Sequence, residues 1–174
     1  APTTQKTTVT PERIKSIITR NRSPDLPFDL SINPYRGCEH GCAYCYARPA
    51  HAYMDLSPGL DFESRLFSKP DAAQVLRTEL ARPGYRCQVI SLGANTDCYP
   101  PPERRLRITR AIIEVSAACR HPLTIVTKSA LIERDIDLLA PMAAQGLVQV
   151  FLSVTTLDRE LARRLEPRAA APQR

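Results

Sequence analysis

The chain has 174 residues, about one domain's worth, and its 43% hydrophobic and 24% charged residues match an ordinary globular protein. No apolar run approaches the ~18 residues of a membrane span, and the polar, threonine-rich start (1–10) has no signal-peptide core, so the expectation is neither a membrane protein, a secreted miniprotein nor a disordered tail. The net charge of +6 rests mostly on arginine, with Lys6, Lys15, Lys69 and Lys128 as the lysines; it permits an acidic partner such as nucleic acid and equally fits a solvated basic surface.

Residues 1–27 read as a flexible N-terminal lead-in, with a short helix over 11–19 opened by Pro11. From residue 28 a rhythm of strands and helices begins, and 28–174 is taken as one unit. A strand over 28–33 stops at Asn33-Pro34, and a loop with Gly37, Gly41 and three cysteines follows. A helix is predicted near 46–54, a short strand over 62–67 and a helix over 70–81 with Ala72, Leu76 and Leu80 on one stripe. A strand over 86–92 ends at Gly93. The best helix covers 102–120, with Ile108, Ile112, Val115 and Cys119 on one face. Then come a strand over 123–127, a helix over 131–145 with Ile132, Ile136 and Leu139 inward and a kink at Pro141, a strand over 147–154 and a helix over 158–165.

Alternating strands and helices imply an α/β protein with a parallel sheet and right-handed crossovers. The apolar strands at 89–92, 123–126 and 148–152 suit burial on both faces. Four βα units make an open sheet or part of a barrel, and the chain reads as a fragment.

Six cysteines without an export signal point to metal or redox chemistry rather than a disulfide framework. Cys38, Cys42 and Cys45 are spaced C-x₃-C-x₂-C, close enough to face one metal centre on a loop that glycines let curl. Two metal readings stand. A structural zinc site needs a fourth ligand, for which His40 and His51 are candidates. A cubane iron–sulfur cluster takes three thiolates and leaves one iron open. Cys87 and Cys119 read as buried small hydrophobes.

The spacing, with Tyr44 directly before Cys45, resembles the cluster motif of the radical S-adenosylmethionine (radical SAM) superfamily. The wider string Asn33-Pro34-Tyr35-Arg36-Gly37-Cys38, then Tyr46-Ala47-Arg48-Pro49, Asn95-Thr96-Asp97 and Val126-Thr127-Lys128-Ser129, resembles its spore photoproduct lyase-related branch, whose members are often labelled DNA repair photolyases. The resemblance implies a partial TIM barrel truncated at its C-terminus. It also implies a 4Fe–4S cluster on Cys38, Cys42 and Cys45, and S-adenosylmethionine chelated to the open iron and cleaved to a 5′-deoxyadenosyl radical. In the family, backbone before the last cysteine meets the adenine, here at Tyr44.

Ligands of parallel sheets gather at the carboxyl ends of strands. There the chain carries Asn95 and Thr96, then Lys128, then Ser153. Lys128 suits the carboxylate of the methionine moiety, and Thr96 and Ser153 offer it hydroxyls. Tyr46 and Tyr99 either line the pocket or pack against the loop. Glu103 reads as a first-turn helix charge, and Arg104, Arg105, Arg107 and Arg110 as a solvated basic face. The hydrogen-donating cysteine of spore photoproduct lyase corresponds to Ala94 here, while Cys98 lies on the other side of Asp97.

The expectation is therefore a cytoplasmic radical SAM enzyme, lyase- or DNA-repair-like, acting by hydrogen abstraction. Its substrate is unidentified, with nucleic acid as a candidate, and a flavodoxin- or ferredoxin-type donor supplies the electron. The alternative is a nucleic-acid-binding domain with a structural zinc site, which predicts salt-dependent DNA binding whatever the state of the cluster.

Overall fold

The computed structural model describes residues 6–173. In chain order its strands are β1 (Thr8–Pro11), β2 (Thr19–Arg20), β3 (Leu30–Ile32), β4 (Tyr35–Arg36), β5 (Arg65–Ser68), β6 (Ile90–Leu92), β7 (Leu123–Thr127) and β8 (Val148–Leu152). The helices are α1 (Leu60–Ser64), α2 (Ala72–Leu80), α3 (Glu103–Leu106), α4 (Ile108–Ala118), α5 (Ile136–Ala144) and α6 (Arg159–Leu165), with 3₁₀ turns at Arg48–Met54 and Ala130–Asp135. Among the described residues no helix is long and apolar enough to cross a membrane.

The main sheet runs β2-β3-β6-β7-β8, parallel except for β2. Register places Leu30, Ile90, Leu123 and Val148 in one row and Ile32, Leu92, Ile125 and Val150 two residues on. Period-two geometry sends both rows to one face, against the helices. There all but Val150 form a core with Leu76, Ile112, Ile113, Leu139 and Met142, each such burial contributing roughly 1.5–3 kcal/mol. The row between, Ser31, Ser91, Thr124 and Gln149, lies on the opposite face. The sheet stays open at β8, giving a partial barrel. β8 pairs on one side only, so Val150, Phe151 and Leu152 are exposed, where their sequence suggests burial on both faces.

Several elements differ from their sequence expectation. No helix forms over 11–19; instead β1 pairs with β5 and β2 with β3, and Ile17 enters the core. The strand expected over 62–67 is α1 followed by β5, which joins β1 and β4 in a second, three-stranded sheet. Only Ile90–Leu92 of the 86–92 segment is strand, and Cys87 is exposed.

The helix over 102–120 is broken at Arg107, whose φ is 53°. The cause is Glu103, which is fully buried, not a surface charge. Its carboxylate accepts from the Thr109 (3.0 Å) and Arg110 (3.3 Å) amides and caps α4 from outside the helix, while Tyr35 (2.5 Å) and Arg134 (2.8 Å) hold it in place. α4 ends at Ala118, leaving Cys119 exposed beyond its apolar stripe. Ile136, expected inward, is exposed because the preceding 3₁₀ turn advances the chain at three residues per turn. Arg110 is not a free basic residue: it pairs with Glu114, Asp135 and Asp137.

The segment entering β2 is held by a single carboxylate. Glu79 on α2 accepts from Ser16 Oγ (2.5 Å) and from the Ile17 (3.0 Å) and Ile18 (3.1 Å) amides. Glu79→Ala should lower unfolding stability by about 2–3 kcal/mol, because it leaves the Ile17 and Ile18 amides without their acceptor. Urea denaturation measures this, with Glu79→Gln expected to recover part of the loss.

Candidate functional site

The cysteine loop is set by the chain on either side of it. Asn33-Pro34 ends β3, and β4 carries the chain antiparallel to β5. Gly37 then turns with a φ of 77°, and a β-carbon there would stand 2.8 Å from the Phe62 carbonyl oxygen that accepts the Cys38 amide. Any larger residue would push the loop off α1. Gly93 plays the matching part after β6: its φ is 81°, and a β-carbon would meet the Val126 carbonyl at 2.7 Å. This close approach brings residues 93–97 beside the end of β7.

Two side chains tie the strand ends to the loop. Asn33 Oδ1 accepts the Asn95 amide at 2.9 Å, and Thr96 Oγ1 donates to the Tyr35 carbonyl at 2.7 Å. The Thr96 hydroxyl, expected to meet a ligand, is thus committed as a donor and is left to accept.

Asp97 is the centre of the second tie. It accepts from the Tyr99 amide (2.8 Å), Thr127 Oγ1 (2.7 Å), the Lys128 amide (2.8 Å) and His40 Nε2 (2.9 Å). His40 lies between Cys38 and Cys42, so one buried carboxylate pins the loop to two strand ends. Burial alone would raise the Asp97 carboxyl, but the bond and charge of His40, with the Lys128 and Tyr99 amides, hold it below the usual aspartate range. Burial lowers His40, yet Asp97 outweighs it and raises the imidazole above its ordinary value.

Cys38, Cys42 and Cys45 are free and surround a cavity of about 230 Å³ with residues 93–97, Lys128 and Ser153. Burial pushes the Cys38 thiol up to about 12, with the Asp97 charge adding to it, and burial likewise raises Cys42. Among the described residues, no group of three His, Cys, Asp or Glu side chains stands ready to hold one metal ion. Three thiols on one cavity are, by their chemistry, the donor set that a cubane with one open iron takes. Of the two candidate fourth ligands for zinc, His40 lines the cavity with its Nε2 bonded to Asp97, and His51 lies outside the cavity lining, its Nε2 bonded to the Arg65 carbonyl at 2.9 Å and its ring packed on Phe62 and Phe67.

Tyr44 and Tyr46 are exposed at the cavity, and Tyr46 donates to the Ala94 carbonyl. Tyr99 packs inward instead, its hydroxyl donating to Asp135 at 3.1 Å, and Cys98 is fully buried. Lys128 Nζ donates to Ser153 Oγ at 2.7 Å and pairs with Glu166 Oε1 at 2.8 Å. Burial disfavours the ammonium, but Glu166 and Tyr44 raise it above the ordinary lysine value, and Lys128 in turn holds Glu166 below the usual range against its own burial. The sequence offers no local signal for Glu166, which meets Lys128 only through the fold. Asp97 does carry one, a carboxylate right after the polar end of an apolar strand.

A cysteine-lined cavity at the carboxyl ends of a partial parallel barrel defines a cofactor-binding α/β protein. The family profile of the Radical SAM superfamily matches residues 32–174, and the chain belongs to that superfamily. Its cofactors are a 4Fe–4S cluster and S-adenosylmethionine. The uncharacterized protein Rv2578c of Mycobacterium tuberculosis is 45% identical over 148 residues, which cover 85% of this chain and 44% of that protein. The uncharacterized protein MJ0683 of Methanocaldococcus jannaschii is 27% identical over 136 residues, covering 78% and 48%. The chain therefore spans less than half the length of these relatives. A spore photoproduct lyase variant solved with bound AdoMet and dinucleoside spore photoproduct shares the fold, with a TM-score of 0.64 at 16% identity over 94% of this chain and 43% of that one.

Proposed function

We propose that the chain carries the cofactor machinery of a radical SAM enzyme, with Cys38, Cys42 and Cys45 as the cluster ligands. The observation that carries this reading is that all three cysteines line one cavity with Lys128 and Ser153. When bound, the cluster and S-adenosylmethionine supply a 5′-deoxyadenosyl radical for hydrogen abstraction. The protein's own share is binding, orientation and the exclusion of water. Lys128 and Ser153 present an ammonium and a hydroxyl to the amino-acid end of S-adenosylmethionine. Asn95 and Thr96 offer an amide and a hydroxyl oxygen from the end of β6. The backbone at Tyr44 would hold the adenine.

A nucleic-acid substrate is supported by the net charge of +6 and by the fold shared with spore photoproduct lyase. Ala94 stands where the lyase's hydrogen-donating cysteine is expected, so the reaction is one that needs no thiol at that place. A flavodoxin- or ferredoxin-type donor and a cytoplasmic setting complete the reading. Anaerobic reconstitution with iron and sulfide, then reduction with S-adenosylmethionine, should yield 5′-deoxyadenosine and methionine. A colourless protein holding stoichiometric zinc would reject the reading. Adding DNA or RNA should change how much 5′-deoxyadenosine forms if the substrate is nucleic acid.

A further inference from the structure

Lys128 already holds a carboxylate. Glu166 Oε1 lies 2.8 Å from its ammonium and also accepts from Thr155 Oγ1 at 2.5 Å and from the Tyr44 hydroxyl. Three donors converge on one oxygen of a glutamate whose side chain is 7% exposed. Two of them, Lys128 and Tyr44, belong to the wall of the cysteine cavity. Glu166 follows α6, and the chain around it is fastened to the cysteine loop: the Ala43 amide donates to the Leu165 carbonyl at 2.9 Å, and the Arg168 amide to the His40 carbonyl at 3.2 Å. The carboxylate lines the adjoining cavity, which shares Lys128 and Ser153 with the cysteine cavity, and backbone contacts hold it there rather than a chance rotamer of an exposed side chain.

We propose that Glu166 is a resident occupant of the carboxylate subsite, and that an incoming amino-acid carboxylate takes Lys128 by displacing it. This rests on the reading that the cavity takes S-adenosylmethionine. The physical reason is charge. One ammonium pairs with one carboxylate, and two carboxylates within hydrogen-bond reach of it in a half-buried site repel each other. Exchange leaves Lys128 paired with one carboxylate before and after, and frees Glu166 to the donors that remain to it. It also makes affinity for the ligand depend on how firmly Tyr44 and Thr155 retain Glu166, a property of this chain that the cysteine motif does not encode.

The test is equilibrium binding of S-adenosylmethionine to the reconstituted, oxidised protein, with no turnover. Glu166→Gln keeps the shape but removes the charge, and should tighten binding by about tenfold, the size of a modest coupling between sites. Thr155→Val, which removes one hydroxyl from the hold on Glu166, should tighten it by less. 5′-Methylthioadenosine, which lacks the amino-acid carboxylate, should bind wild type and both variants equally. Unchanged or weaker binding of S-adenosylmethionine by Glu166→Gln would overturn the exchange alone, and weaker binding would make Glu166 a holder of the ligand's amino group. If neither wild type nor variant binds S-adenosylmethionine, the cofactor reading falls and the exchange with it.

Discussion

Replacing Cys38, Cys42 or Cys45 singly by alanine should take the iron and sulfide of the reconstituted protein to background, and with it all reductive cleavage of S-adenosylmethionine. Three thiolates are the fewest that hold a cubane while leaving an iron open, so the loss of one cannot be shared by the others. No other cysteine can step in. Cys98 is fully buried and its thiol lies well above its ordinary value, chiefly through burial and then the charge of Asp97. Cys87 and Cys119 are exposed outside the residues that line the cavity. Alanine at either should leave iron content unchanged and alter stability by no more than about 0.5 kcal/mol, as surface substitutions do. Iron and sulfide assays on the five variants, with thermal melts to show that each folds, make the comparison. Retention of iron by Cys42→Ala, or its loss from Cys119→Ala, would move the centre elsewhere.

The contrast between Cys119 and Cys42 shows where the sequence is informative. A spacing of three and two residues on a glycine-containing loop is a local property and survives folding. So does the strand at 123–127, whose apolar residues sit between His121-Pro122 and a polar end, and the structure forms it over the same residues. The apolar stripe that includes Cys119 is also local, but it assumes one unbroken helix. Glu103, reaching across from the preceding turn to cap α4, resets the helix, and its partners Tyr35 and Arg134 lie 68 and 31 residues away. The β1-β5-β4 sheet is unreadable for the same reason, because Thr8 finds Arg65 only in the folded chain. Within the site, the polar strand ends announce Asn95, Thr96, Lys128 and Ser153. What each is bonded to depends on contacts 25 to 63 residues apart, such as Lys128 with Ser153 and Thr96 with Asn33. Periodicity cannot report such contacts.

Asp97 is where that hidden layer should have its largest effect. Asp97→Ala removes the acceptor of four donors at once and leaves His40 buried without its partner, so unfolding stability should fall by about 3–5 kcal/mol, the cost of breaking a buried ion pair. Asp97→Asn keeps acceptor capacity and should cost less. Both should weaken iron retention by roughly 10–100-fold, as loss of an outer-shell partner does at metal sites, because His40 no longer fixes the loop between Cys38 and Cys42. His40→Ala should do less harm to stability than Asp97→Ala, since Asp97 keeps its bonds from Tyr99, Thr127 and Lys128. The pH dependence of the cluster-free protein separates a charge effect from a packing effect. The lowered Asp97 carboxyl contributes in full above the ordinary aspartate value of about 3.9, and its contribution is lost as pH falls through the lowered value. The raised His40 contributes in full below the ordinary histidine value of about 6.5, and its contribution is lost as pH rises through the raised one. The pair is therefore worth most at mildly acidic pH, and melting temperature should decline on both sides of that window. In Asp97→Asn both slopes due to the pair should flatten, whereas a purely steric role for Asp97 would lower the whole curve without changing its shape.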